Sequence, residues 1–272
     1  MLKKFSELTG TTKEFMDLIK IEKAESIGKI VLNSPETLNI IEKETFQEIH
    51  TALDEFEDSD IKIALISAVC GVSRSGKKVF SAGVNLKNYD EKIKLAKTDP
   101  DRFKEELRSA RGLIERIERL NKPVVIAIDG FVTGGFFELA LGCDVILASK
   151  SAAFSLNEVN IGIIPGYGGI HRLLRLVGKN RTFEIIAAGR KIDAREAYEL
   201  GIVTKILDND AQVTEYCQKL AAQPSSSLCL VKDTMQRISA GENPEEVELE
   251  NFLKAVTSQE AETKIKAFLT KH

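Results

Sequence analysis

Hydrophobic and polar positions follow two patterns along the first two thirds of the chain. Short apolar runs rich in β-branched residues, such as 61–67 and 124–128, are bounded by turn residues and predict buried strands. Longer amphipathic stretches, such as 43–56 and 102–120, predict helices. Further strands are predicted at 18–23, 29–33, 79–83 and 144–149, with a helix starting near Gly134. This alternation predicts an α/β protein with mostly parallel strands.

The pattern changes near Asp208, after which the chain is mainly helical. Asp193, followed three residues later by Glu196, predicts a capping box at the start of a short helix. Beyond it, helices are predicted over 211–222, 228–239, 245–256 and 260–271. We therefore divide the chain into an N-terminal extension at 1–16, an α/β core at 17–207 and a helical C-terminal region at 208–272.

Composition and charge narrow the class of function. The chain has 272 residues, 38 Lys+Arg against 41 Asp+Glu, a net charge of -3 and no Trp. Balanced charge gives no basic surface for nucleic acid, and few aromatic residues are available to stack on bases. No apolar run is long enough to span a bilayer, and the acidic residues near the N-terminus argue against a transit peptide. We expect a cytoplasmic protein that binds neither nucleic acid nor membrane.

The cysteines and histidines do not form a metal-binding pattern. No Cys-x-x-Cys pair occurs among the four cysteines, and the three histidines are scattered along the chain. We expect buried, reduced thiols and no zinc or other metal site.

Residues 71–77 match the first seven positions of a phosphate-binding loop. Such a loop needs Ser or Thr after its lysine to hold magnesium, followed by a helix whose N-terminus cradles phosphate. Lys78 stands in that position, and the residues after it predict a strand and a turn. We therefore interpret this segment as a basic surface loop and not as a nucleotide site.

Candidate chemistry is carried by three segments, at residues 80–87, 121–140 and 154–173. The pair Gly134-Gly135 stands where a strand gives way to a helix, so backbone N–H groups can approach a ligand there and stabilise an anion. Taken alone, Glu138 fits a partner of the helix dipole as well as a catalyst. Glu158 alone fits an ordinary loop carboxylate.

Together the three segments resemble the enoyl-CoA hydratase/isomerase (crotonase) family. The shared pattern is Ser-Ala-Gly before an oxyanion-hole residue, then Lys-Pro, a strand, Gly-Gly, and a Glu three residues past the second glycine. A second Glu follows twenty positions later, ahead of Gly-Ile-Ile-Pro-Gly. The likeness covers about residues 18–271. It implies a crotonase-like spiral of β-β-α repeats with a helical C-terminal trimerisation region, in a homotrimer or homohexamer.

The resemblance also assigns roles to residues. It places Val84 and Gly135 where backbone N–H groups form an oxyanion hole, and Glu138 and Glu158 at the two catalytic glutamate positions. It implies that an acyl-CoA thioester is the binding partner, with CoA lying near Leu38, Ala82 and Lys87.

Two positions depart from the family pattern. Phe136 replaces a frequent third glycine, and Asn85 replaces the usual Asp after the oxyanion-hole residue. The first change alters the wall beside the oxyanion turn and therefore the shape of the acyl site. Candidates for the acyl pocket are Phe136, Phe137 and Tyr167, with core packing an equal alternative for each.

The implied reaction is that of an enoyl-CoA hydratase, syn addition of water to a 2-enoyl-CoA or the reverse dehydration. No cofactor is expected, because CoA is part of the substrate. We assign water activation to Glu138 and protonation of Cα to Glu158, with a reversed or shared division still open. The alternatives are double-bond isomerisation, hydration or hydrolysis of a cyclic acyl-CoA and, from another class, a non-catalytic acyl-CoA-binding protein. Keeping both glutamates favours the hydratase.

Overall fold

A computed structural model describes residues 18–57, 59–87 and 89–270. The predicted N-terminal extension, 1–16, lies outside the described residues. The strands are β1 (Ile19–Ala24), β2 (Ile27–Leu32), β3 (Ile63–Ala68), β4 (Gly71–Val72), β5 (Lys78–Ser81), β6 (Val124–Ile128), β7 (Phe131–Thr133), β8 (Val145–Ala148), β9 (Ala153–Ser155), β10 (Ile192–Asp193) and β11 (Lys205–Ile206).

The helices lie between and after these strands. They are α1 (Lys43–Glu57), α2 (Tyr89–Thr98), α3 (Pro100–Arg119), α4 (Gly135–Ala140), α5 (Gly169–Val177), α6 (Lys179–Ala188), α7 (Ala194–Glu199), α8 (Asp210–Ala221), α9 (Ser225–Ser239), α10 (Pro244–Val256) and α11 (Gln259–Leu269). The helices predicted after residue 208 are present with nearly the predicted bounds. The division of the chain into three domains stays a prediction.

In the described residues the strands form two sheets, ordered β1-β2-β3-β6-β8-β11 and β10-β9-β7-β5-β4. From β2 to β11 the first sheet is parallel, and β5, β7 and β9 are parallel in the second. From β6 to β9 successive strands alternate between the sheets, so that β6 and β7 are followed by α4, and β8 and β9 by α5. This β-β-α repetition confirms the predicted α/β fold.

The first four residues of strand β3 are apolar without a break. Ala64 and Ile66 face the main core with α1 and α3. The alternate residues Ile63 and Leu65 face a smaller core that includes Cys217 of α8. A strand with side chains buried on both faces needs apolar residues at every position, which is why the sequence predicts it well.

The segment that matches a phosphate-binding loop is a β-hairpin. Strand β4 pairs antiparallel with β5, and the Ser73 N–H donates to the Lys77 carbonyl at 2.8 Å across the turn. The chain continues as a strand where a phosphate-binding loop would start a helix. The interpretation as a surface loop is therefore confirmed.

Two details differ from the sequence predictions. A separate helix, α2, precedes α3, and Asp99 caps α3 by accepting from the Arg102 N–H. The predicted capping box is only half formed. Asp193 accepts from the Glu196 N–H at 2.8 Å, but the Glu196 carboxylate pairs with Arg190, because a guanidinium within reach offers a charged partner.

Candidate active site

Glu138 is positioned by a sharp turn between β7 and α4. Gly134 has φ of 58°, a left-handed value that favours glycine, and its N–H donates to the Ser155 carbonyl of β9 at 3.1 Å. Helix α4 begins at the next residue. Glu138 therefore lies in the first helical turn, with 2% of its surface exposed.

The segments of Val84 and Gly135 pack closely together, and neither backbone N–H has a hydrogen-bond partner among the described residues. Val84 forms a parallel bridge with Ile41, in which Ile41 bonds to the Gly83 carbonyl and the Asn85 N–H. The Val84 N–H therefore points away from Ile41. Gly135 is the first residue of α4, so its N–H has no acceptor within the helix. A Cβ on Gly135 would lie 3.1 Å from Val84 Cγ2, which shows how closely the two segments pack.

The carboxylate of Glu138 is held by backbone donors. Its Oε1 accepts from the N–H groups of Tyr167 and Gly169, each at 2.8 Å. Burial raises the pKa of Glu138, while these two N–H groups and the charges of Arg111 and Arg172 oppose that rise. The second oxygen, Oε2, makes no hydrogen bond within the described part of the chain. It is the oxygen available to a substrate or a water.

Helix α3 anchors the loop that supplies these two donors. Arg111 Nε donates to the Gly166 carbonyl at 2.8 Å. Arg172, 4% exposed, donates to the carbonyls of Tyr167 and Gly168 at 3.2 Å. It also donates to the carboxylate of Glu118 in α3 through two hydrogen bonds of 2.8 and 2.6 Å. Sequence analysis missed Arg111, Glu118 and Arg172 as supporting residues, because nothing in their spacing shows that α3 meets this loop.

Glu158 has a different environment. It begins a short 3-10 helix, Glu158–Ile161, and its Oε1 lies 3.4 Å from the position of a Cβ on Gly134. Its Oε2 is buried and has no hydrogen-bond partner in the described residues. Burial raises the pKa of Glu158 to about 7, and the charge of Glu138 adds to the rise. The two glutamates are therefore close enough to interact.

Two tyrosines also lie beside these glutamates. Burial and the charge of Glu158 raise the pKa of Tyr89. Burial, followed by the charge of Glu138 and the neighbouring Tyr89, raises the pKa of Tyr167 to about 12. Tyr89 is a site residue that sequence analysis missed, and its position at the start of an exposed helix carries no sequence signal.

Comparison with known proteins shows the family. A family model described as enoyl-CoA hydratase/isomerase matches residues 22–272. The chain belongs to the enoyl-CoA hydratase/isomerase family. The resemblance found in the sequence is thereby confirmed.

Relatives and solved structures agree over most of the chain. A Rhizobium meliloti protein named probable enoyl-CoA hydratase is 31% identical over 224 residues, covering 81% of this chain and 82% of the relative. A Bacillus subtilis protein of the same name is 30% identical over 265 residues, covering 94% and 97%. The crystal structure of an enoyl-CoA hydratase from Bacillus anthracis superposes with a TM-score of 0.82 at 27% identity, covering 94% and 97%. The crotonase-like fold is therefore confirmed.

The residues expected near CoA occupy neighbouring segments. Leu38 has a left-handed backbone, and its carbonyl accepts from the Ala82 N–H at 2.9 Å. Lys87 is exposed. The structure brings Leu38 and Ala82 together, and the roles of all three residues stay predictions.

The three acyl-pocket candidates are not equivalent. Phe136 and Phe137 are fully buried, and their rings pack on Phe80 and Phe154 with centroids 5.8 and 5.3 Å apart. This packing favours the core alternative for both. Tyr167 is only partly buried and lies against Gly135, so it is the candidate of the three that borders the site.

A separate crevice of about 880 Å³ lies beside the ends of β3, β6 and β8, and none of the predicted site residues lines it. Several of its polar groups are paired with one another around Asp129, whereas the buried hydroxyl of Ser67, which also lines the crevice, has no partner in the described residues. Lys78 donates to one carboxylate oxygen at 2.6 Å, and Ser149 and Ser151 donate to the other at 2.7 and 2.9 Å. These groups are satisfied within the protein.

Other predictions concern metals and membranes. Within the described ranges, no group of His, Cys, Asp or Glu side chains is arranged to hold a metal ion. No described helix is both long and apolar enough to cross a membrane. The expected absence of a cofactor and the cytoplasmic location stay predictions.

Proposed function

We propose that this protein is an enoyl-CoA hydratase that adds water syn across the double bond of a 2-enoyl-CoA, or catalyses the reverse dehydration. The proposal rests on the contrast between two interacting carboxyl groups. They lie beside two backbone amides that have no hydrogen-bond partner in the described residues. Glu138 accepts two N–H bonds, whereas Glu158 has a buried oxygen without a partner. Relatives named probable enoyl-CoA hydratase support the same activity.

The amides of Val84 and Gly135 suit the oxygen of the thioester. Attack of water at Cβ moves negative charge onto that oxygen, and two N–H donors stabilise the enolate-like state. Losing one such donor typically costs about 10²–10³ in rate. Because both groups belong to the backbone, they are already oriented before the substrate binds.

The two glutamates divide the proton transfers. Burial raises the pKa of Glu138, but its two N–H bonds oppose that rise and stabilise the charged form; in this assignment its Oε2 takes a proton from water as oxygen bonds to Cβ. The raised pKa of Glu158 favours its protonated form, so it delivers a proton to Cα. Water thus contributes a hydroxyl to Cβ, the proton on Glu158 goes to Cα, and proton exchange restores both residues. The substrate supplies CoA, and every step uses groups of this chain.

The CoA site adjoins the segment that contains Val84. In our proposal, the backbone at Leu38 and Ala82 lines the CoA site, and exposed Lys87 attracts its phosphates. The charge of Lys87 lies at the surface, so its contribution should weaken as salt increases.

We also propose that the protein assembles as a homotrimer or a pair of homotrimers. Large apolar side chains are exposed on helices α9 to α11, among them Val231, Met235, Leu249, Phe252, Leu253 and Leu269. Such a surface is unusual for a monomer. Light scattering after gel filtration should give three or six times the chain mass of 30.1 kDa, and a monomer would contradict this assembly.

The activity is tested with crotonyl-CoA by following loss of the conjugated-thioester absorbance. Glu138→Gln and Glu158→Gln should each lower kcat/KM by about 10²–10⁴. A glutamine at 138 can still accept both N–H bonds, so the loop should keep its structure. Glu215→Gln is the matched control, because Glu215 lies at the surface and pairs with Lys219, far along the chain from both active-site glutamates.

The outcome separates the competing functions. Near-normal hydration by either active-site variant would contradict the assignment of the two glutamates. The family name includes isomerases, and a product of unchanged mass would identify isomerisation, since hydration adds one water. Thioester binding without turnover would identify a non-catalytic binding protein.

A further inference from the structure

The ring of Tyr167 occupies the space beside the oxyanion-hole glycine. A Cβ on Gly135 would lie 2.8 Å from both Cδ2 and Cε2 of that ring and 3.1 Å from Val84 Cγ2. Distances below 3 Å leave no room for a methyl group. The wall of the site next to Gly135 is therefore formed by an aromatic ring and a valine.

Tyr167 is fixed in this position by contacts on several sides. Its N–H donates to Glu138 and its carbonyl accepts from Arg172. Its ring packs edge-on against Phe46, with centroids 5.9 Å apart and an interplanar angle of 61°. A side chain held at its backbone and its ring cannot easily move aside for a larger substrate.

The position of the thioester in the proposed reaction brings C2 of the acyl group close to this wall. An oxygen bound by the Gly135 amide lies about 3 Å from the nitrogen, and C2 is two bonds from that oxygen. One face of C2 must remain open to Glu158, which protonates it. A substituent on C2 must then enter the space that Val84 and Tyr167 occupy.

We propose that Tyr167 makes the site selective for 2-enoyl-CoA thioesters that carry only hydrogen at C2, by filling the volume that a 2-methyl branch would need. This inference rests on the proposed hydratase function. It assigns a substrate class to the site and names the side chain that sets it. One methyl group in a tight pocket typically changes kcat/KM by about 10–200-fold.

The test compares kcat/KM for crotonyl-CoA and 2-methylcrotonyl-CoA in the full-length protein. For each variant, kcat/KM for the branched substrate is divided by kcat/KM for the unbranched one. A general loss of activity affects both values equally and cancels in this ratio, so the ratio can be compared between variants. Tyr167→Ala should raise this ratio by about 10-fold or more. The substitution keeps the backbone N–H, so the bond to Glu138 remains available.

Three further variants make the result specific. Tyr167→Phe keeps the ring and should leave the ratio unchanged, and Tyr198→Ala is a control at an exposed tyrosine of α7. Tyr167→Leu should give an intermediate ratio, and it replaces the alanine variant if that protein does not fold.

Each outcome decides the matter. An unchanged ratio in the alanine and leucine variants would overturn the proposal, even if both substrates react more slowly. The same would follow if Tyr167→Phe shifted the ratio as much as Tyr167→Ala, because the hydroxyl would then be responsible. If the wild-type protein hydrates neither substrate, the hydratase function itself fails together with this inference. If crotonyl-CoA is hydrated but the ratio does not shift in the variants, only the proposed role of Tyr167 is contradicted and the hydratase function stands.

Discussion

Carboxyl groups lie beside buried side chains in two regions of this protein, and their hydrogen-bond partners differ between the two. Between the starts of β6 and β8, Asp144 Oδ2 accepts from Lys232 Nζ and from the Val124 N–H, both at 2.7 Å. Lys232 of α9, 6% exposed, also donates to the carbonyls of Ile117 and Lys122 at 2.8 and 3.1 Å. The charge of this aspartate is balanced by a cation, and the pair joins the C-terminal region to the core.

The candidate active site has no such cation bonded to its carboxyl groups. Glu138 is held by neutral N–H groups, and one oxygen of Glu158 has no partner in the described residues. Burial raises the pKa of Asp144 as well, but Lys232 opposes that rise, whereas no cation opposes the rise at Glu158. In this protein, the carboxylate paired with a lysine stabilises the structure, whereas the carboxyl groups without a bonded cation are able to exchange a proton.

The largest expected effect concerns the ion pair between Asp144 and Lys232. Lys232→Met should lower the free energy of unfolding by about 3 kcal/mol, because it removes a buried ammonium and leaves the partly exposed Asp144 carboxylate and two backbone carbonyls without their donor. Urea denaturation at fixed protein concentration measures this change. The double variant with Asp144→Asn should recover part of the loss, and a double variant no more stable than the single one would break the comparison.

A smaller effect is expected at the support of Glu138. Arg172→Lys removes the guanidinium nitrogen that donates to the carbonyls of Tyr167 and Gly168, so the two N–H donors should shift, and kcat/KM should fall by about 10². Weaker N–H bonds should also raise the pKa of Glu138 and move the acidic limb of the pH–rate profile upward. A fall in rate with no movement of that limb would show that Arg172 acts only on the general stability of the fold.

The pH dependence should report Glu158. Hydration needs this residue protonated, and its pKa is raised to about 7. We therefore expect kcat/KM to decrease above about pH 7, by roughly tenfold per pH unit. Initial rates across a series of buffers at constant ionic strength measure this limb. A flat profile from pH 6 to pH 9 would contradict the role of Glu158 as the acid.

The smallest effect concerns the stability of the same residue. The pKa of Glu158 is higher in the folded protein than the ordinary value of about 4.5 for a glutamate, so its ionisation destabilises the fold as the pH rises from about 4.5 to about 7. Glu158→Gln removes that cost and should stabilise the protein by on the order of 1 kcal/mol at pH 8, after allowance for solvent screening, with little effect at pH 5. Thermal unfolding at the two pH values checks the sign.

The sequence predicted much of this architecture because local patterns carry it. Strand β6 is apolar at every position and β3 is apolar over its first four residues, and the Gly134-Gly135 pair indicates the turn into α4. It did not predict that Phe136 packs on Phe80, or that Glu118 and Arg172 hold the loop at Tyr167. These contacts join residues far apart in the chain, and no periodicity reports them.

The sequence alone is enough to identify the groups available for catalysis. They are two glutamates and a glycine pair before a short helix, in an order of strands and helices that brings them near one another. Only the tertiary structure decided how the two glutamates differ. The donors that hold Glu138 come from residues 29 and 31 positions further along the chain, and the isolation of Glu158 results from burial. A pKa depends on solvation and on nearby charges in space, and folding alone sets both.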